Sequence, residues 1–107
     1  MISFDEFQKV EMKVGKIINA HKIENADRLL KLEVDFGDEK RQIVSGIAES
    51  YNAEDLIGKS TIFVVNLEPR TIKGIESNGM IIAVHDDNNL PVLFFPDKEV
   101  SPGSQIS

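Results

Sequence analysis

The stretch Leu29-Leu30-Lys31-Leu32-Glu33-Val34-Asp35-Phe36-Gly37-Asp38-Glu39-Lys40-Arg41-Gln42-Ile43-Val44-Ser45-Gly46-Ile47 decides the fold. Its first half alternates. Leu30, Leu32, Val34 and Phe36 fall on one side, and Lys31, Glu33 and Asp35 on the other, the period of two that marks a half-buried strand. Gly37-Asp38-Glu39 supplies a turn, and Lys40 to Ile47 reads as the return strand, so residues 29–47 form a hairpin. In that return strand Arg41 and Ile43 share one parity, and Gln42 and Val44 the other. Parity alone does not fix which pair faces inward.

Working outward, residues 12–23 read as one long strand, with Gly15 marking a bend or bulge where a barrel strand turns a corner. Before it, Ser3 and Glu6 have capping-box spacing for a short helix over residues 3–9. Phe4 and Phe7 share one side of it, placed to pack on the body or on another subunit. Beyond the hairpin, residues 53–57 form a helical turn closed by Gly58, and residues 60–67 form a buried strand. Glu68 to Gly79 reads as a loop, Met80 to Val84 as a buried strand, and Val92 to Phe95 as its return past Asp86-Asp87-Asn88-Asn89. Val100 begins a short terminal strand interrupted by Pro102-Gly103. The expectation is one all-β domain over residues 1–107: a five-stranded closed antiparallel barrel of the oligonucleotide-binding (OB) type. A short helix joins its third and fourth strands, and small extensions stand at both ends. A sandwich of equal strand count is the alternative.

The 107 residues are 41% hydrophobic and 28% charged, a globular composition. The longest apolar runs, Ile62-Phe63-Val64-Val65 and Met80-Ile81-Ile82-Ala83-Val84, are far short of the roughly 20 residues of a spanning helix, so no membrane partner is expected. Residues 1–6 carry neither a basic nor an apolar signal region. With no cysteine there is no disulfide, thiolate metal site or Cys nucleophile. A cytoplasmic protein is expected. The formal net charge is −6, which read naively argues against nucleic acid, but the field of one face matters more than the total. Residues 1–59 hold nine of the twelve Lys and Arg, and residues 60–107 only Arg70, Lys73 and Lys98. A basic face must therefore draw on the first half, joined by Arg70 and Lys73.

Four segments, in order, resemble one family: Val14-Gly15-Lys16-Ile17; Ala26-Asp27-Arg28-Leu29-Leu30-Lys31-Leu32; Ile43-Val44-Ser45-Gly46-Ile47-Ala48; and Asn66-Leu67-Glu68-Pro69-Arg70 followed by Ser77-Asn78-Gly79-Met80-Ile81. Together they look like the tRNA-binding domain carried at the C-terminus of many methionyl-tRNA synthetases, which also occurs as free-standing tRNA-binding proteins. The resemblance spans roughly residues 4 to 107. It implies an OB barrel that binds the outer, structural part of tRNA without reading an anticodon, with no catalysis and no cofactor. It also implies a homodimer where the chain extends to a segment like Val100-Ser101-Pro102-Gly103-Ser104. The family often has a more basic surface than a charge of −6 suggests.

Such barrels combine a positive groove with stacking or hydrogen-bonding side chains. The candidate tRNA contacts are Arg28, Lys31, Arg41 and Gln42 on or beside the hairpin, Asn66 at a strand end, Arg70 and Lys73 in the following loop, and Ser77 and Met80 around Gly79. Each has a plain structural alternative: solvated charge for the basic residues, a self-bonded turn for Asn66, and a turn with a core methionine for Ser77 and Met80. Ser45-Gly46 reads as a bulge that bends the third strand, because neither His21 nor His85 has the setting of a triad base. The same two histidines lack metal-ligand spacing. Asp86-x-Asn88 fails as a calcium loop, since Leu90 and Pro91 stand where ligand and glycine belong.

Two functions remain after an enzyme is set aside for want of a nucleophile, base and stabiliser together. One is a tRNA-binding module serving a synthetase, with the methionyl-tRNA synthetase catalytic chain as its partner, in cis or in trans. The other is a dimeric, chaperone-like module that binds peptides.

Overall fold

Alternating sequence becomes paired strand where one face is buried. The computed structural model describes residues 1–107. In chain order the elements are α1 (Phe4–Phe7), β1 (Met12–Ile23), β2 (Ala26–Asp35), β3 (Lys40–Ser45), α2 (Ala53–Leu56), β4 (Ser60–Val64), β5 (Arg70–Ile72), β6 (Ile75–Ser77), β7 (Met80–Ile81), β8 (Ala83–His85) and β9 (Pro91–Leu93). Five strands form one antiparallel sheet in the order β3-β2-β1-β4-β7. Two small hairpins, β5–β6 and β8–β9, stand beside it.

The inward parity of the decisive hairpin is now fixed. Leu30, Leu32, Val34, Phe36 and Ile43 are buried with Ile17, Ala20, Ile47, Leu56, Phe63, Val65, Ile81 and Leu93 in one core. Burying such side chains stabilises by about 1.5–3 kcal/mol each before ordering entropy is charged against it. Phe36 meets Phe63 edge-on, with centroids 5.6 Å apart.

β1 changes partner along its length. Met12 to Lys16 pair with β4, and Lys16 to Ile23 pair with β2. Gly15 sits just before this handover but is not a bulge, since it pairs in register with Thr61. Its role is close approach: a Cβ there would lie 2.4 Å from Val34 Cγ1 and 2.7 Å from Phe36 Cε1. The bulge lies further on. Ile17 faces Val34 and Asn19 faces Glu33, which leaves Ile18 as the extra residue.

The barrel expected from the sequence is not closed by a ladder. β7 contributes only two residues to the sheet, too few to hydrogen-bond both β4 and β3. The gap is bridged instead by the Asn78 N–H donating to Gln42 O at 2.8 Å and the Val44 N–H donating to Ser77 Oγ at 2.9 Å. Three smaller expectations also change. The loop after Glu68 contains the β5–β6 hairpin. Met80 to Val84 splits into β7 and β8, with Met80 exposed. Ser45 ends β3 in unbroken register with Leu30, so it is no bulge.

The C-terminal tail forms no regular strand. It runs beside β1 instead: Gly103 N–H donates to Val14 O, Val14 N–H to Ser104 O, and Ile106 N–H to Met12 O. The capping box of α1 is present, with the Glu6 N–H donating to Ser3 Oγ and the Ser3 N–H to the Glu6 carboxylate. Its phenylalanines are only partly covered by the body: Phe4 is 69% exposed and Phe7 40%. No helix is long and apolar enough to cross a membrane.

Candidate nucleic-acid interface

The outer side of β1, β2 and β3 is set by the same alternation that builds the core. The Ile18 bulge matters here. Ile17 points inward, and without the extra residue Asn19 and His21 would follow it. Because of the bulge Ala20 turns inward and Asn19 and His21 face out. Three rows result across the sheet: His21–Lys31–Val44, Asn19–Glu33–Gln42 and Lys16–Asp35–Lys40. Asn19, His21, Lys31, Glu33, Lys40 and Gln42 line a depression of about 370 Å³, with Arg41 and Leu32 at its edge.

Charge in this depression is unevenly committed. The molecule holds two ion pairs, Arg28–Glu49 and Arg41–Glu39. Lys31 and Lys40 belong to neither. The lining holds one carboxylate, Glu33, and Asp35 stands opposite Lys40 on the same face, so three lysines, Lys16, Lys31 and Lys40, share this face with two carboxylates.

Arg41 is different. It has the inward parity, opposite Val34. Its guanidinium donates to both Glu39 carboxylate oxygens and to Val65 O, and stands 5.7 Å over the Phe36 ring. Its side chain is only 17% exposed. This hydrogen bond is the leading reason that the Glu39 carboxyl is held below its ordinary range. Desolvation pushes the other way, and the charges of Arg41 and Lys13 add to the lowering. Arg41 thus clamps the sheet edge through Glu39 and Val65 O.

Gln42 does two things. It lines the depression, and its Nε2 donates to Glu76 O at 2.8 Å. With the Asn78 and Ser77 bonds it fastens the β5–β6 hairpin to β3. That hairpin turns through Lys73 and Gly74, both at positive φ (52° and 79°), as a two-residue turn of the primed type requires. Arg70 and Lys73 are exposed on it. Ser77 Oγ accepts from Val44 N–H and donates to Gly79 O at 3.1 Å. The residue is 4% exposed, and its hydroxyl holds the sheet edges together. Met80 is 44% exposed and lines a small hollow of about 50 Å³ with Arg70, Val44 and Leu67.

Of the residues singled out from sequence, Lys31, Gln42, Arg70 and Met80 therefore lie along β3 and its flanks, with Lys73 at the hairpin tip. Arg28 stands at the start of β2 in an exposed pair with Glu49 at 2.7 Å, a geometry worth little in water. Asn66 lies outside the tract. Its Oδ1 accepts from Glu11 N–H and its Nδ2 donates to Lys9 O, which ties the end of β4 to the segment entering β1. Lys40, Asn19 and His21 were not singled out. Lys40 shares parity with Gln42, so the signal was there; Asn19 and His21 were hidden by the bulge.

Residues 12–105 match the model of the family described as "Putative tRNA binding domain". The chain belongs to this family. It is a binding module and not itself a catalyst. It is 46% identical to methionine–tRNA ligase of Archaeoglobus fulgidus over 105 residues, 98% of this chain and 16% of that protein. The chain thus spans about a sixth of the curated relatives it matches. Among solved structures, a MetRS related protein from Pyrococcus horikoshii superposes with TM-score 0.94 at 43% identity, over 100% of this chain and 98% of that one. The chaperone CsaA from Bacillus anthracis superposes with TM-score 0.91 at 30% identity, over 100% and 99%. A MetRS related protein and a chaperone thus share this fold over nearly their whole solved chains.

Proposed function

We propose that the outer face of β1–β3, extended by the β5–β6 hairpin, binds the folded body of tRNA through phosphates and ribose edges without reading a sequence. The chain assists aminoacylation by a methionyl-tRNA synthetase, as part of it or beside it, by keeping tRNA close. The observation that carries this reading is the unpaired Lys31 and Lys40 beside Gln42 in one depression. Phosphate contacts give affinity and position, and polar side chains suit 2′-hydroxyls. Bulk tRNA titrated in rising salt tests it. Affinity falls steeply, because neutralised phosphates release counterions, and Lys31→Glu weakens all tRNAs alike. Salt-independent binding, or a loss confined to one isoacceptor, contradicts it.

The working unit is a homodimer in the cytoplasm. Ile2, Phe4, Phe7 and Val10 are exposed, and Phe4, Phe7, Val10 and Met12 line a groove with Ile106. An apolar surface of this kind suits burial against a second copy. Phe4→Ser with Phe7→Ser yields a monomer in a sizing experiment; an unchanged elution volume contradicts the assignment.

A peptide-binding reading is favoured by the likeness to a chaperone and by the apolar hollow of Val44, Leu67 and Met80. Competition separates the two: saturating tRNA abolishes peptide binding only if both use this face.

A further inference from the structure

A second cleft borders the start of β4 and the segment from Phe95 to Pro102. It has a volume of about 390 Å³ and is lined by Lys16, Lys59, Ser60, Phe95 and Lys98, with Asp97 and Glu99 also present. None of its three lysines takes part in an ion pair. Phe95 is 45% exposed, and the Lys59 ammonium stands 5.6 Å from its ring centroid. The two clefts are joined through the sheet. Ser60, Lys16, Asp35 and Lys40 are successive cross-strand partners on β4, β1, β2 and β3, and all share the outward parity. Three inter-strand steps of about 4.8 Å each therefore lead from this cleft to the depression that holds Lys40 and Lys31.

A solvent-exposed aromatic ring beside unpaired ammonium groups is the combination that holds unstacked nucleotides: the ring supplies a stacking surface, and the cations take the flanking phosphates. Structured RNA offers both phosphates and a few unpaired bases. Continuous duplex offers phosphates but keeps its bases stacked. We propose that this cleft is a second RNA subsite, in which an unpaired nucleotide of the bound RNA stacks on Phe95 while its phosphates meet Lys16, Lys59 and Lys98. This rests on the reading of the β1–β3 face as the tRNA interface and extends it across the sheet.

The test compares two probes, bulk tRNA and a blunt 12-base-pair RNA duplex, against the full chain and its variants. Phe95→Ala weakens tRNA about fivefold to a hundredfold, the range for loss of one base–aromatic stack. It leaves duplex binding within about twofold, and Phe95→Tyr restores tRNA affinity. Lys59→Ala, which leaves the ring in place, lowers the salt dependence of tRNA binding by about one phosphate contact. Phe95→Ala binding tRNA as the parent does overturns the subsite while leaving the β1–β3 reading intact, provided that Lys31→Glu still weakens tRNA. Equal loss on both probes overturns the stacking assignment. A parent chain that binds neither probe overturns both proposals.

Discussion

Lys40 and Arg41 are neighbours in the chain and do opposite work. Arg41 turns to the inner side of the sheet, where it grips Glu39 and Val65 O and covers the Phe36 ring. Lys40 turns to the outer face and pairs with no carboxylate. At the sheet edge Arg41 is committed to finishing the core. On the outer face Lys31 and Lys40 stand outside any ion pair, as the proposed capture of a polyanion requires. A residue's type does not decide between these roles; strand parity does.

The largest effect is expected at Arg41. Arg41→Ala leaves Val65 O and Glu39 without their donor and costs about 2–3 kcal/mol, read as a lower midpoint in urea denaturation. The tRNA affinity of the molecules that stay folded changes by less than about twofold. If affinity collapses while stability holds, Arg41 belongs to the interface. The outer face gives the mirror image. Lys31→Glu with Lys40→Glu weakens tRNA by about tenfold or more, about 1.4 kcal/mol, and leaves stability within about 0.5 kcal/mol. A matching loss of stability would merge the two regions into one.

Gln42 sharpens the comparison, because it stands between them as a positioning group. Gln42→Ala removes no charge, yet it frees the Glu76 carbonyl and loosens the hairpin that carries Arg70 and Lys73. A loss of affinity of about threefold is expected in titration, and none in a chain already lacking Arg70 and Lys73. The smallest effect concerns Glu39. Its folded value lies below its ordinary 4.5, so its pairing stabilises fully above that ordinary value and disappears as pH falls through the lowered one. Glu39→Gln therefore flattens the acid limb of the stability profile slightly. A steeper acid limb would reverse the assigned sign.

Much of this was legible in the sequence, for identifiable reasons. Leu30, Leu32, Val34 and Phe36 alternate without a break, and a half-buried strand allows no other register. Ser3 and Glu6 sit at capping-box spacing, and the box forms. The Ile18 bulge was not legible: Ile17-Ile18 puts two apolar residues side by side and conceals which one is extra, so Gly15 drew the attention. The β5–β6 hairpin was missed because its strands are three residues long and mostly exposed. The structural bonds of Arg41 and Ser77 were not legible because their partners, Val65 O and Val44 N–H, lie far away in sequence. Only the folded sheet edges bring them together.

On the proposed reading, uncommitted lysines on one side of an acidic domain hold RNA through its phosphates. The most direct test of this reading is the slope of log Kd against log salt for tRNA, measured for the parent and for Lys31→Glu with Lys40→Glu. The parent binds with a steep slope, and the variant's slope is shallower by about two contacts, at about 0.7–0.9 per phosphate. Identical slopes, or a parent that ignores tRNA at low salt, would contradict it.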